Sequence, residues 1–230
     1  MSFKELKREV YEANMELEQR KLVTYTFGNV SQVDRQRGIV AIKPSGVPYA
    51  DLKVDDIVIV DLDNNIVDGK FNPSSDTKTH TYLYRQWAAI GGITHTHSTY
   101  ATAWAQAQQP IPCYGTTQAD YVYGDIPCAP VMSDERIAKD YEDETGVQII
   151  ECYGNRDPNE APMMIVAGHA PFTWGKDAAK SVYHAVLLEE IAKMAYLTRT
   201  IAPAIEPLKQ GLVDKHYLRK NGKNAYYGQQ

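Results

Sequence analysis

Gly91-Gly92-Ile93-Thr94-His95-Thr96-His97, running directly into the Ala-rich stretch 98–107, sets the reading of this chain. The first segment has the apolar character of a buried strand, and the second reads as a helix. In an extended strand, residues two apart point to the same face, so both imidazoles converge on one point. Histidine is scarce, at 6 in 230 residues, and two of the six share this arrangement. Convergent neutral imidazoles are what a zinc-like divalent cation seeks.

Working outward, the periodicity predicts an amphipathic helix over residues 2 to 20, with Phe3, Leu6, Val10, Ala13 and Leu17 on one side. Strands are predicted at 23–27, 38–42 and 56–61, the last turning through Asp63-Asn64-Asn65 into a hairpin partner at 66–68. Residues 77–89 read as a helix, 133–144 as a polar helix, 147–152 as a strand, and 163–167 as a buried strand leading to Gly168-His169. The longest helix is expected from Ala178 to Thr200. Hairpins interleaved with helices predict an α/β chain whose mixed sheet is covered by helices on its faces. No repeat or linker divides residues 1–230, so a single domain is expected.

The composition narrows the function. With 43% hydrophobic and 23% charged residues, the chain has the balance of a soluble globule with one sizeable core. No run reaches the length of a membrane span, and the charged start lacks the apolar segment of a signal peptide. A net charge of -5 without a basic block gives no attraction to nucleic acid. Cys113, Cys128 and Cys152 are odd in number and lack C-x-x-C spacing, which fits a reducing, cytoplasmic setting.

Two histidines hold a metal weakly, so further ligands are required. His169, at a strand end, is a candidate, and Asp76, just before the 77–89 helix, offers a carboxylate. Against this, an Asp in that position is by default a helix N-cap, and a lone His after a core strand is ordinary packing. His80, His184 and His216 compete for the same role, the first two within helical patterns.

Gly28-Asn29, Lys43-Pro44-Ser45-Gly46 and Pro73-Ser74-Ser75 are rich in small residues and backbone donors. Such turns let N–H groups approach a phosphate, with hydroxyls and the Lys43 charge adding to the attraction. Each alone is equally an ordinary turn. The G-x-G-x-x-G and G-x-x-x-x-G-K-[ST] patterns are absent, so no nucleotide cofactor is expected.

Taken together, Gly28-Asn29-Val30-Ser31, Lys43-Pro44-Ser45-Gly46, Pro73-Ser74-Ser75-Asp76-Thr77, His95-Thr96-His97-Ser98 and Gly168-His169-Ala170-Pro171-Phe172 follow the order seen in one family. The chain resembles the L-ribulose-5-phosphate 4-epimerase branch of the class II aldolase/adducin family. Gly115-Thr116-Thr117-Gln118-Ala119-Asp120-Tyr121, the tail from Asp214 to Lys220 and the run from Ala225 to Gln229 match that branch. The resemblance implies a three-layer α/β/α sandwich around a mixed, largely antiparallel central sheet. It implies Zn2+, with Mn2+ or Co2+ as substitutes, held by Asp76, His95, His97 and His169. Gly28, Asn29, Lys43, Ser45, Gly46, Ser74 and Ser75 would bind a phosphorylated ketopentose. Asp120 and Tyr227 would be the acid/base pair, reaching the metal from a neighbouring subunit of a homotetramer. Thr116, Glu142 and His216 also match positions near the family's site. Ala170 departs from the pattern, standing where the family has Gly.

Overall fold

The histidine-bearing strand lies inside one eight-stranded sheet. The structure, a computed structural model, describes residues 2–223 together with Ala225 and Tyr226. Its strands are β1 (Asn29–Asp34), β2 (Ile39–Ile42), β3 (Val58–Asp61), β4 (Ile66–Asp68), β5 (Gly92–His95), β6 (Cys128–Ala129), β7 (Met163–Val166) and β8 (Pro171–Gly175). They are ordered β4-β3-β2-β1-β5-β8-β7-β6. Every pairing is antiparallel except that of the short edge strand β6 with β7. The mixed, largely antiparallel sheet expected from the sequence is therefore present.

Helices cover both faces. They are α1 (Phe3–Gln19), α2 (Thr77–Gln86), α3 (Thr99–Gln106), α4 (Thr116–Ala119), α5 (Asp134–Ile137), α6 (Tyr141–Tyr153), α7 (Ala178–Ile201) and α8 (Gln210–Asn221). α1 starts at a capping box, in which Ser2 and Glu5 satisfy each other's backbone N–H groups. Its buried stripe of Leu6 and Val10 packs on Ile39, Ala41, Ile57 and Ile59. The alternate residues Val40, Val58 and Val60 turn to the opposite face and join Leu83, Tyr84 and Trp87 of the α2 region in the main core. Strands apolar on both faces require a layer of helix on each side. The sandwich follows from that requirement. At the centre of the main core Trp87, Tyr153 and Trp174 pack ring against ring, with centroids 4.7–5.5 Å apart.

Gly92 lets β5 approach the start of α7. A Cβ there would fall 2.2 Å from the Asp177 carbonyl, so no larger residue fits without moving the helix that backs the strand. This close approach seats β5 firmly and fixes the strand that carries His95.

Three expectations are corrected. The helix expected over 133–144 is two, α5 and α6, parted at 138–140, where Asp140 caps the second. Residues 23–27 do not form a strand: Tyr25 adopts φ 55°, in the left-handed region, and is 83% exposed. The carbonyls of this loop are bonded by side chains instead, Thr26 O by Lys43 Nζ and Phe27 O by Tyr49 Oη. The neighbouring strand is β1, whose buried Ser31 and Gln32 hide its strand character. Residues 147–152 belong to α6 rather than to a strand. Asp140 caps that helix, and Thr145, Gln148, Ile149 and Tyr153 are buried at helical spacing. The β-branched cluster Val147, Ile149 and Ile150 gave a strand signal that the cap and tertiary packing override.

Candidate active site

β5 ends with His95 and packs between β1 and β8, whose registers set Asn29 and Phe172 opposite it. The His95 ring stacks on Phe172 at 4.2 Å. Its Nδ1–H donates to the Pro171 carbonyl at 3.0 Å, which leaves the Nε2 lone pair facing outward. His97 lies beyond the paired strand, yet its Nε2 comes within 3.2 Å of His95 Nε2. The convergence anticipated from H-x-H spacing therefore survives the end of the ladder.

His169 enters from the β7–β8 turn. Ligand atoms of His95, His97 and His169 all lie within 4.8 Å of one another. His169 Nδ1 is buried and lacks a hydrogen-bond partner among the described residues, as expected of an atom shaped to meet something other than protein. Ala170, the departure from the family pattern, does not adopt a positive φ, and its carbonyl accepts from Val166 N–H at 3.0 Å. Alanine is thus accommodated without strain beside the ligand.

Asp76 precedes α2 at the N-cap position, but its side chain makes no capping bond. The carboxylate turns into the cleft instead. Its Oδ2 accepts from Asn29 Nδ2 at 2.7 Å and lies 3.9 Å from His95 Nε2. Burial works to raise its pKa, but the His95 and His80 imidazoles and the Asn29 amide outweigh burial and hold it below the ordinary value. A capping Asp would not leave the helix end for this position. Three imidazoles and one ionised carboxylate are a donor set suited to a zinc-like cation. The residues present fit the group.

The competing histidines are sorted by their partners. His184 Nδ1 bonds the Trp174 carbonyl at 2.6 Å in the core, and His216 bonds Asp120 at 3.0 Å. His80 is fully buried on α2, its Nδ1 2.7 Å from Ser31 Oγ. None of these joins the three-histidine cluster among the described residues.

The three small-residue turns form the walls of the same cleft, of about 400 Å3, above Asp76, His95, His97 and His169. Gly28, Asn29, Lys43, Ser45, Gly46, Ser74 and Ser75 all line it. Gly28 has φ 76°, and a Cβ there would meet Val23 at 2.7 Å and the His95 carbonyl at 3.0 Å, so only glycine lets this turn close over β5. The turns are tied together: Ser74 N–H donates to Lys43 O, Ser45 N–H to Asn72 O, and Asn29 Nδ2 to Ser74 Oγ. Lys43 departs from the simple expectation of a phosphate-facing ammonium. Its Nζ donates to the carbonyls of Val47 at 2.8 Å and Thr26 at 3.3 Å, bracing two of the turns. Burial pushes its pKa down to about 8.

Glu142 and Tyr141, at the start of α6, also line this cleft, and the Tyr141 ring lies 6.0 Å from that of His169. Tyr141 was missed in the sequence because nothing separates it from the other 15 tyrosines. Asp120 is elsewhere. It follows α4 and accepts from Arg219 at 2.9 Å and His216 at 3.0 Å, with Lys220 Nζ at 3.4 Å, and it does not line the cleft of its own chain. Burial raises its pKa, but the Arg219 and His216 hydrogen bonds and the Lys220 charge prevail and hold the carboxyl below its ordinary range. Thr116 sits one helical turn before it, its carbonyl accepting from Asp120 N–H at 2.9 Å. Tyr227 lies outside the described residues.

The buried histidines make a pH prediction for the cation-free protein. Burial pushes His80 and His169 down to about 3 and His184 to about 4, against an ordinary 6.5. The folded pKa lies below the unfolded one, so as pH falls the unfolded chain takes up protons first. The stability is complete above about 6.5 and declines from there towards 4, each histidine contributing a slope of about 1.4 kcal/mol per pH unit. Urea unfolding midpoints are expected to drop steadily between pH 7 and 5, and a flat profile contradicts neutral burial.

Comparison with known proteins adds three findings. Residues 8–196 match the family described as Class II Aldolase and Adducin N-terminal domain. An L-ribulose-5-phosphate 4-epimerase UlaF from Salmonella paratyphi B is 53% identical over 224 residues, covering 97% of this chain and 98% of that protein. The UlaF from Salmonella paratyphi C is 54% identical over the same share of each chain. Among solved structures, an L-fuculose 1-phosphate aldolase superimposes with a TM-score of 0.77 over 92% of this chain and 94% of that one. At 23% identity, that likeness speaks for the fold alone. Among the described residues, no helix is long and apolar enough to cross a membrane.

Proposed function

The chain belongs to the class II aldolase and adducin family, and on that premise we propose that it is an L-ribulose-5-phosphate 4-epimerase of the cytoplasm. It would interconvert L-ribulose 5-phosphate and D-xylulose 5-phosphate by opening and re-forming the C3–C4 bond. One observation carries the reading: three convergent histidines and an uncapping Asp76 form the floor of a cleft walled by three turns of small residues. The near-full-length similarity to epimerases favours this outcome over an aldolase that releases its aldehyde.

The hydrogen on C4 is not adjacent to the C2 carbonyl, so removing it directly leaves an unstabilised carbanion. Breaking C3–C4 instead delivers the electron pair into an enediolate across C2 and C3. Zn2+ (Mn2+ or Co2+ as substitutes), held by Asp76, His95, His97 and His169, supplies Lewis-acid stabilisation of that charge. His95 is pre-set for this by its Nδ1 bond to Pro171, and Asp76 by Asn29.

A base takes the C4 hydroxyl proton as C4 becomes the aldehyde carbon of glycolaldehyde phosphate. Gly28, Asn29, Ser45, Gly46, Ser74 and Ser75 hold the phosphate while the aldehyde turns its other face, and the braced Lys43 adds positive potential behind them. The enediolate then attacks C4, and an acid returns a proton to the C4 oxygen. We assign this pair to Asp120 and Tyr227, a partner on each side of the sugar. Thr116, Asp120 and His216 come from the α4–α8 region, whereas Glu142 lies at the cleft. This division supports a site completed by a neighbouring copy in a homotetramer.

The test is isotopic. With deuterium at C4 of L-ribulose 5-phosphate, the product D-xylulose 5-phosphate is expected to retain the label. Loss of label to solvent contradicts carbon–carbon cleavage, and accumulation of free glycolaldehyde phosphate favours the aldolase.

A further inference from the structure

We propose that Phe27 and Tyr141 are specificity-determining residues whose rings keep water from the cleaved sugar, so that the aldehyde turns and recombines instead of being released. The inference rests on the carbon–carbon cleavage proposed above and adds two side chains to its cleft.

Both residues line the cleft of Asp76, His95, His97 and His169, and among the described residues they are its only aromatic side chains other than histidine. The Phe27 ring centroid lies 6.1 Å from that of His97, the His97 and His169 rings are 5.3 Å apart, and Tyr141 lies 6.0 Å from His169. Each ring thus abuts a different histidine of the cluster. Neither belongs to a hydrophobic core cluster of the described residues. Phe27 is 57% and Tyr141 37% exposed in the single chain. One exposed aromatic is ordinary on a protein surface. Two that meet adjoining histidines of one polar cleft are an arrangement.

Their backbones are fixed. Phe27 N–H donates to Thr24 O at 3.0 Å, and its carbonyl accepts from Tyr49 Oη at 3.1 Å, just before the close turn at Gly28. Tyr141 opens α6, and its carbonyl accepts from Thr145 Oγ1 at 2.8 Å. The next carbonyl, of Glu142, accepts from Thr79 Oγ1 on α2 at 2.5 Å.

Cleavage of C3–C4 leaves a three-carbon enediolate and glycolaldehyde phosphate, and the enediolate has two fates. Attack on the aldehyde carbon re-forms the bond and gives either epimer. Protonation at C3 ends instead in free dihydroxyacetone and glycolaldehyde phosphate. That loss balances without a further reagent: one proton leaves the C4 hydroxyl, one arrives at C3, and the two fragments sum to the substrate. Water is the donor that must be kept away. The turns of small residues grip the phosphate of the aldehyde fragment, whereas C3 is protected only by apolar surface beside the histidines. The two rings supply that surface.

Phosphorus NMR of the Zn2+-loaded protein turning over L-ribulose 5-phosphate counts substrate, D-xylulose 5-phosphate and glycolaldehyde phosphate together. Phe27→Ala and Tyr141→Ala are each expected to release glycolaldehyde phosphate about 10- to 100-fold more per epimerisation than wild type. Phe27→Leu keeps apolar bulk and Tyr141→Phe loses only the hydroxyl, so both are expected to partition as wild type does. Thermal unfolding and light scattering check folding and assembly, and the two positions lie on separate elements, so each is decided alone. An alanine variant that folds and partitions like wild type overturns the inference for its ring and leaves cleavage standing. If Tyr141→Phe leaks as Tyr141→Ala does, the hydroxyl rather than the ring is at work, and the inference falls. A change of assembly in Phe27→Ala without a change of partition makes that ring an interface residue and has the same result. A wild type that consumes no L-ribulose 5-phosphate, or that loses deuterium from C4, overturns the cleavage reading as well.

Discussion

Stripping the protein of divalent cations is expected to abolish turnover of L-ribulose 5-phosphate, with Zn2+ expected to restore it: this is the largest effect the proposed site predicts. The proposed cleavage of C3–C4 would concentrate negative charge on the sugar oxygens, and Lewis-acid stabilisation of such charge is worth several kcal/mol. At about 1.4 kcal/mol per factor of ten, the loss amounts to roughly a thousandfold or more. His95→Ala should reproduce it, because the proposed ligand His95 is held in place between the Pro171 carbonyl and the Phe172 ring. A coupled assay with parallel metal analysis checks both. Full activity in protein verified to be cation-free sinks the assignment.

The second large effect falls on Asp120. Asp120→Asn is expected to lower kcat by about 10²- to 10⁴-fold, the usual contribution of a general acid or base, while Zn2+ affinity stays unchanged. Asp120 does not line its own cleft, so the two defects should complement each other. Mixed oligomers of Asp120→Asn with His97→Ala are expected to regain activity, since some interfaces then join an intact cation site to an intact Asp120. Each variant alone stays inactive. If mixing restores nothing although heteromers form, a site shared between copies is wrong.

The legibility of the sequence differed between elements for physical reasons. The helix 3–19 was readable from its helical apolar spacing, and the strands 39–42, 58–61 and 163–166 from short, nearly continuous apolar runs. β1 was hidden because buried Ser31 and Gln32 interrupt its apolar pattern. Their polarity is satisfied by His80 and Tyr84 for Ser31, and by Glu9 and the Ala178 N–H for Gln32. α6 was misread at 147–152 because Val147, Ile149 and Ile150 cluster β-branched residues within the helix. In the site, the H-x-H spacing pointed to converging imidazoles, and the small-residue turns, each ambiguous alone, come together as walls of one cleft. Asp76 and His169 were ambiguous until the fold brought them to His95. Asp120 could be chosen only through family resemblance, since its surroundings in this chain are an ion-pair cluster with Arg219, His216 and Lys220. His80 was read as helix packing or surface, and it is fully buried, with its Nδ1 2.7 Å from Ser31 Oγ.

The central claim is a single cation site made by residues far apart in sequence. X-ray diffraction from crystals grown with Zn2+, recorded at the zinc absorption edge, tests it most directly. The account predicts an anomalous peak in each chain enclosed by the side chains of Asp76, His95, His97 and His169. Zinc bound at full stoichiometry elsewhere, with no peak among these four, would contradict it.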